Sequence, residues 1–173
     1  MTTHTLEPID THPTDYGAML RWAVDAAAST DVAALLPVAA QRSWIALPTS
    51  AGWDAWLIAW PGGADTGWHD HQGAAGVFYV ARGALTEFSL AGGTSGGVSA
   101  GAVVATWQDV RTRRVVAGKG RALGSGHVHH VVNEHDEPAY SVHVYSPRLR
   151  AMTRYGWRDD ALISTGVEAA GDW

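Results

Sequence analysis

Nine histidines punctuate this chain of 173 residues, and seven of them lie between His69 and His143. Imidazole is the commonest protein ligand for zinc, iron, copper and nickel, so such a cluster points first to a metal centre. His69 and His71 are two residues apart; on an extended chain both side chains leave the same face and can converge on one cation. A second cluster, His127, His129 and His130, follows the glycine-containing stretch 118–126 and offers a third ligand. Taken singly, each of these histidines reads better as a surface or core residue with ordinary hydrogen bonds. Further on, the period of two puts Ser141, His143 and Tyr145 on one face of an extended segment, with Val142 and Val144 on the other. A Ser–His–Tyr row can relay hydrogen bonds; the plainer reading is a strand with one polar face in solvent.

Composition narrows the classes of partner. Charged residues make up 17% and hydrophobic residues 46% of the chain, a balance that fits one globular domain rather than extended disorder. A net charge of -5 and a pI near 5.9 leave no basic surplus for a phosphate backbone, so nucleic acid is not an expected partner. The absence of cysteine excludes disulfides, thiolate metal sites, iron–sulfur clusters and a cysteine nucleophile. No apolar run has the roughly 18 residues of a membrane span, and the first fifteen residues carry no secretory pattern, so the expected location is cytoplasmic. Oligomeric state is not legible.

The elements that must position the histidines follow from local pattern. Residues 1–14, with His4 and His12, show no periodicity and read as a flexible tail. From Tyr16, the spacing of Met19, Leu20, Trp22, Ala23, Ala26 and Ala27 predicts a helix broken at residues 29–31. Thr30 or Asp31 would cap a second helix reaching Ala40, with Pro37 as a kink or late boundary. After Pro48, short apolar runs separated by glycine predict strands at 54–60, 76–81, 84–90, 102–107, 111–117, 127–133 and 139–146, with a loop from Gly92 to Gly97. A helical start followed by many short strands predicts a mainly β fold, a small jelly-roll-type barrel with the N-terminal helices packed outside. The domain is expected to span 15–158, leaving 159–173 as a C-terminal tail.

Two glycine-framed histidine motifs carry a family resemblance. Gly63, His69, His71 and Gly83 are spaced G-x5-H-x-H-x11-G, and Gly118, Gly126, His129 and Asn133 are spaced G-x7-G-x2-H-x3-N. These resemble the two signature motifs of the cupin superfamily, with Gly76 in place of the usual first-motif glutamate and Gly124 in place of the second-motif proline. The resemblance makes His129 the third ligand and leaves a neutral three-histidine site. Within the superfamily, residues 60–71, 126–133 and 137–147 resemble cysteine dioxygenase and its bacterial thiol dioxygenase relatives, over a stretch from Arg42 to Pro147.

That resemblance implies one non-haem Fe(II) held by His69, His71 and His129, with O2 as co-substrate. It makes Ser141, His143 and Tyr145 the catalytic row. In the mammalian enzymes a cysteine is cross-linked to this tyrosine; here its position is Gly76, and no cross-link can form. The implied reaction adds both oxygen atoms to the sulfur of a small carboxylate-bearing thiol, L-cysteine first, giving the sulfinate. Arg42 matches the family arginine that pairs with the substrate carboxylate, through two parallel N–H bonds that lysine cannot imitate. Arg154, nine residues after Tyr145, lies near the arginine of mercaptopropionate-type relatives and would point to a 3-mercapto acid instead. Trp60, Trp68 and Phe78 would wall the pocket. Two other classes share the motifs: a cupin holding zinc, manganese or nickel for hydrolytic, lyase or isomerase chemistry, and a cupin that only binds a small ligand.

Overall fold

In the computed structural model, which describes residues 14–49, 52–92 and 101–169, the chain opens with two capped helices. Asp15 accepts a 2.8 Å hydrogen bond from the Ala18 N–H and caps α1 (Tyr16–Ala28). Asp31, rather than Thr30, does the same for α2 (Val32–Leu35) through the Ala34 N–H at 3.2 Å. The second helix therefore stops short of the expected Ala40. Pro37 disfavours helical backbone in the residue before it, and Leu36 accordingly leaves the helix at φ -134°, ψ 84°. The expected tail, with His4 and His12, lies outside the described residues except for Thr14.

Twelve strands follow: β1 (Ser43–Ala46), β2 (Asp54–Trp60), β3 (Trp68–His69), β4 (Ala75–Arg82), β5 (Ala84–Leu90), β6 (Val103–Thr106), β7 (Val110–Val116), β8 (Gly120–Leu123), β9 (His129–Val132), β10 (Ala139–Ser146), β11 (Ala151–Arg158) and β12 (Ala161–Ala169). They form two antiparallel sheets, β1-β2-β10-β4-β8 and β6-β12-β11-β3-β9-β5-β7. All seven strands expected from the sequence are present. The segment expected as a C-terminal tail is corrected: Ala161–Ala169 pairs along its length with β11, and its start pairs with β6. The glycine-rich loop lies, from residue 93 to 100, outside the described residues. Among the described residues no helix is long and apolar enough to cross a membrane.

The alternation of the five-stranded sheet decides what each of its faces does. Ala55, Leu57 and Ala59 of β2, Val77 of β4, and Tyr140, Val142 and Val144 of β10 pack on Met19 and Ala23 of α1. The opposite parity, Ile58, Trp60, Phe78, Val80 and Tyr145, enters the space between the sheets with Leu85, Val115, Leu123, Val131, Leu149 and Met152. β10 is thus covered on both sides, and Ser141, His143 and Tyr145 are all buried. The reading of that row as a solvent-facing stripe is excluded. Gly83, between β4 and β5, has φ +77°, and a Cβ there would stand 2.9 Å from Ala139. Glycine is required both for the turn and for the approach of β10.

Candidate metal centre

Each histidine of the candidate triad is placed by a different local device. His69 ends the two-residue β3 and lies directly opposite His129 of β9 in antiparallel register. His71 begins the tight turn into β4, closed by the Ala74 N–H donating to the His71 carbonyl at 3.0 Å. Between them, Asp70 turns the other way. Its Oδ1 accepts from the backbone N–H groups of Gln72 (2.9 Å) and Thr153 (3.2 Å), and its Oδ2 from the Tyr155 hydroxyl (2.7 Å). Asn133 closes the second motif: its Nδ2 donates to the carbonyls of Trp60, Pro61 and Glu137 at 3.1, 3.3 and 2.9 Å, stapling the end of β9 to that of β2.

The three rings converge. One nitrogen from each of His69, His71 and His129 lies within 4.8 Å of the others, and all three residues are buried. The His69 Nδ1 lies 3.0 Å from the Gly67 carbonyl and the His129 Nδ1 lies 3.1 Å from Glu87 Oε1. Both partners can only accept, so both nitrogens carry the proton and each Nε2 is a bare lone pair. His129 Nε2 and both nitrogens of His71 are buried without a hydrogen-bond partner. Buried polar atoms are normally satisfied, and orphaned nitrogens on two of three converging rings suit a cation. Burial, reinforced by the neighbouring imidazoles, holds the His69 and His71 pKa values well below the usual 6.5. His129 is also lowered by burial, against the opposing pull of Glu87. Neutral rings are the form a metal needs.

Beside the triad the relay is continuous. The Trp60 indole N–H donates to Ser141 Oγ at 2.8 Å, Ser141 Oγ lies 2.9 Å from His143 Nε2, and His143 Nδ1 lies 3.2 Å from the Tyr145 hydroxyl. Burial pushes the His143 pKa down to about 3 and raises that of Tyr145 above its ordinary value, so both are neutral at physiological pH. The Tyr145 ring centroid is 4.5 Å from that of His71. Gly76 lies opposite Tyr145 in the pairing of β4 with β10, and a Cβ at residue 76 would stand 2.7 Å from Tyr145 Cδ1. The small residue lets the phenol ring occupy the space beside the histidines.

A cavity of about 50 Å³, counted as the space open to the centre of a water-sized sphere, is lined by His69, His129, His143, Tyr145 and Arg42. Ile58, Val131, Leu149, Met152, Trp44 and Trp56 supply most of its wall. One water needs roughly 10–15 Å³ on this measure, so the space suits a molecule of a few heavy atoms. The Arg42 guanidinium lies 5.3 Å from the Trp44 ring centroid and 5.5 Å from that of Trp60, with no ion-pair partner among the described residues. Burial first, then the charge of Arg154, lowers its pKa, yet an arginine keeps its charge at physiological pH. Arg154 is engaged elsewhere: its Nε donates to Glu168 at 2.7 Å and its Nη1 to the Thr66 carbonyl at 2.9 Å. It does not line the cavity.

Of the expected aromatic walls, none faces the cavity. Trp60 supports Arg42 and Ser141 from behind, Phe78 stacks on His143 with ring centroids 5.2 Å apart, and Trp68 packs outside the cavity against His130 at 6.0 Å. Sequence reasoning passed over Trp44, Trp56 and the aliphatic wall, which had no motif to mark them. It also missed Glu87, whose signal was its parity with the buried Leu85 on β5. Burial alone would raise the Glu87 pKa, but hydrogen bonds from His127, His129 and Arg121 hold it well below the carboxylate range.

A two-sheet antiparallel barrel with a histidine triad inside, built on both glycine-framed motifs, defines this protein as a cupin. Three solved structures support the fold. A protein of Thermus thermophilus is 20% identical, with TM-score 0.53, covering 69% of this chain and 96% of that one. An uncharacterized conserved protein with a double-stranded β-helix domain from Klebsiella pneumoniae is 16% identical, with TM-score 0.51, covering 68% and 88%. A sugar phosphate isomerase from a cupin superfamily of Silicibacter pomeroyi is 21% identical, with TM-score 0.50, covering 73% and 74%. No curated protein sequence matches the chain. The sequence profile of cysteine dioxygenase type I matches residues 24–158, and the chain belongs to that family. Membership implies an iron-dependent dioxygenase acting on a small molecule with O2.

Proposed function

We propose that the protein is an Fe(II) thiol dioxygenase converting a small carboxylate-bearing thiol, L-cysteine first, to its sulfinate, with His69, His71 and His129 holding the metal. The observation that carries this reading is the meeting of a buried neutral histidine triad with one small cavity, which two of its members, His69 and His129, line together with Tyr145 and an arginine free of ion pairs among the described residues. Ferrous iron bound by the triad would supply the sites where thiolate sulfur and O2 meet and oxygen passes to sulfur. The rest is done by the chain. Arg42, held between Trp44 and Trp60, clamps the carboxylate and fixes the distance from that end of the substrate to its sulfur. The apolar wall keeps water away and strengthens every charge interaction inside.

Hydrogen-bond accounting supports a donor role for Tyr145. Trp60 can only donate to Ser141, and among the described residues the one acceptor for the Ser141 hydroxyl hydrogen is His143 Nε2. The proton of neutral His143 then sits on Nδ1 and is donated to the Tyr145 oxygen. The Tyr145 hydrogen remains free to be donated into the cavity, toward substrate or oxygen. Tyr145→Phe should keep bound iron while lowering kcat about 10-fold or more, the loss of one hydrogen bond in a dry site, and should cost about 1–3 kcal/mol of stability because the buried His143 Nδ1–H loses its acceptor. An unchanged kcat would remove the hydroxyl from the reaction.

The free Arg42 and the occupied Arg154 favour L-cysteine over the 3-mercapto acid reading. A panel of L-cysteine, 3-mercaptopropionate, cysteamine and a thiol lacking charge, given to Fe(II)-loaded protein, tests class and substrate together. Oxygen uptake is expected with L-cysteine, with a product heavier by two oxygen atoms, and not with cysteamine, which has no carboxylate. Uptake with no thiol would leave one of the other cupin chemistries.

A further inference from the structure

We propose that Glu87 is a positioning residue for the metal: through His129 it returns to the centre, one hydrogen bond removed, the negative charge that Gly76 withholds from the ligand set. The inference rests on the three-histidine reading above and goes beyond it.

Glu87 is fully buried on β5, and its two oxygens accept three N–H bonds. Oε1 takes His127 Nε2 at 3.0 Å and His129 Nδ1 at 3.1 Å, and Oε2 takes Arg121 Nε at 2.8 Å. The carboxylate fixes which His129 nitrogen carries hydrogen, and so leaves Nε2 for the cavity. The three ligands are not supported alike. Among the described residues, His69 has a neutral carbonyl behind it and His71 has no partner on either nitrogen, so there His129 is the one ligand backed by an anion. Among the described residues no acid lines the cavity itself. A carboxylate on the far N–H of an imidazole makes the ring a stronger donor and sets its orientation. Arg121 and His127 make burial of the charge tolerable by satisfying the lone pairs that His129 does not use.

The same atoms admit a rival. Donor atoms of Glu87, His127 and His129 also lie within 4.8 Å of one another, the spacing of a second cation site. The hydrogen bonds already made, and Arg121 on the same carboxylate, speak for positioning instead.

The test is Glu87→Gln, which keeps the shape and removes the charge. Anaerobic titration with ferrous iron should show Kd raised about 10–100-fold, and the Fe(III)/Fe(II) reduction potential should rise, since the ferric state loses more from the missing charge. Wild-type values for both would overturn the proposal. His127→Ala leaves the Glu87–His129 bond in place and should bind ferrous iron as the wild type does; a loss matching that of Glu87→Gln would establish the second cation site and overturn the proposal. A third measurement needs no variant. In the zinc-loaded protein the ligand N–H proton furthest downfield in the NMR spectrum should belong to His129, and one no further downfield than that of His69 would overturn the assignment. None of these readouts involves a thiol, so they stand or fall separately from the substrate reading.

Discussion

Replacing His129 with alanine should strip the protein of its iron and leave the fold standing, whereas replacing its neighbour His130 should leave both iron and fold in place. The two residues are consecutive on β9, so their side chains leave opposite faces of the sheet. His129 enters the cavity among the other rings, with centroids 4.6 Å from His69 and 5.1 Å from His71. His130 stacks against Trp68 and lies 3.9 Å from Asp65. A residue acting only behind a ligand typically accounts for about 10–100-fold in metal affinity, so removal of a ligand should exceed that range. The fold should persist because Glu87 keeps its bonds to His127 and Arg121. Iron content per chain after anaerobic reconstitution, with a circular dichroism melt, checks both variants. Equal iron loss would mean that the third ligand has been misassigned.

Arg42→Lys should raise KM for the thiol acid about 10–100-fold while hardly moving the melting temperature. The guanidinium can give a carboxylate two parallel N–H bonds; an ammonium at the same place gives up one of them, and a hydrogen bond to a charged group is worth about 1.5–3 kcal/mol. Every tenfold in affinity is about 1.4 kcal/mol, which sets the range. Stability should change little because Arg42 has no ion pair to lose among the described residues, and its contacts with two indole rings are partly kept by the lysine. Initial-rate oxygen uptake against thiol concentration measures the effect. If Arg154→Lys raises KM instead, the carboxylate lies at the other end of the site and the 3-mercapto acid reading replaces the present one.

The parts of this molecule that could be read in advance are those where pattern and burial agree. In β10 the valines and the Ser–His–Tyr row alternate without interruption, because one face meets α1 and the other the barrel interior. The glycine-framed motifs were legible for a similar reason, since their turns admit few residues. β11 was not. Both of its faces are covered, Met152 by the core between the sheets and Thr153 and Tyr155 by Gln72 and Asp70, so no period of two survives in burial. β3 is too short to have a period. The choice between Arg42 and Arg154 failed with β12, since the acid that occupies Arg154 is Glu168, within the segment taken for a tail. Glu87 was hidden by its type: an acid on a strand reads as solvent-facing until its neighbours across the sheet are known.

One glycine has a consequence for the history of the molecule. With a bare backbone at residue 76 against the Tyr145 ring, and no cysteine anywhere in the sequence, no thioether to cysteine can form on this phenol. In the proposed reaction Tyr145 therefore acts without such a bond, and a newly made chain needs no early rounds of use to acquire one.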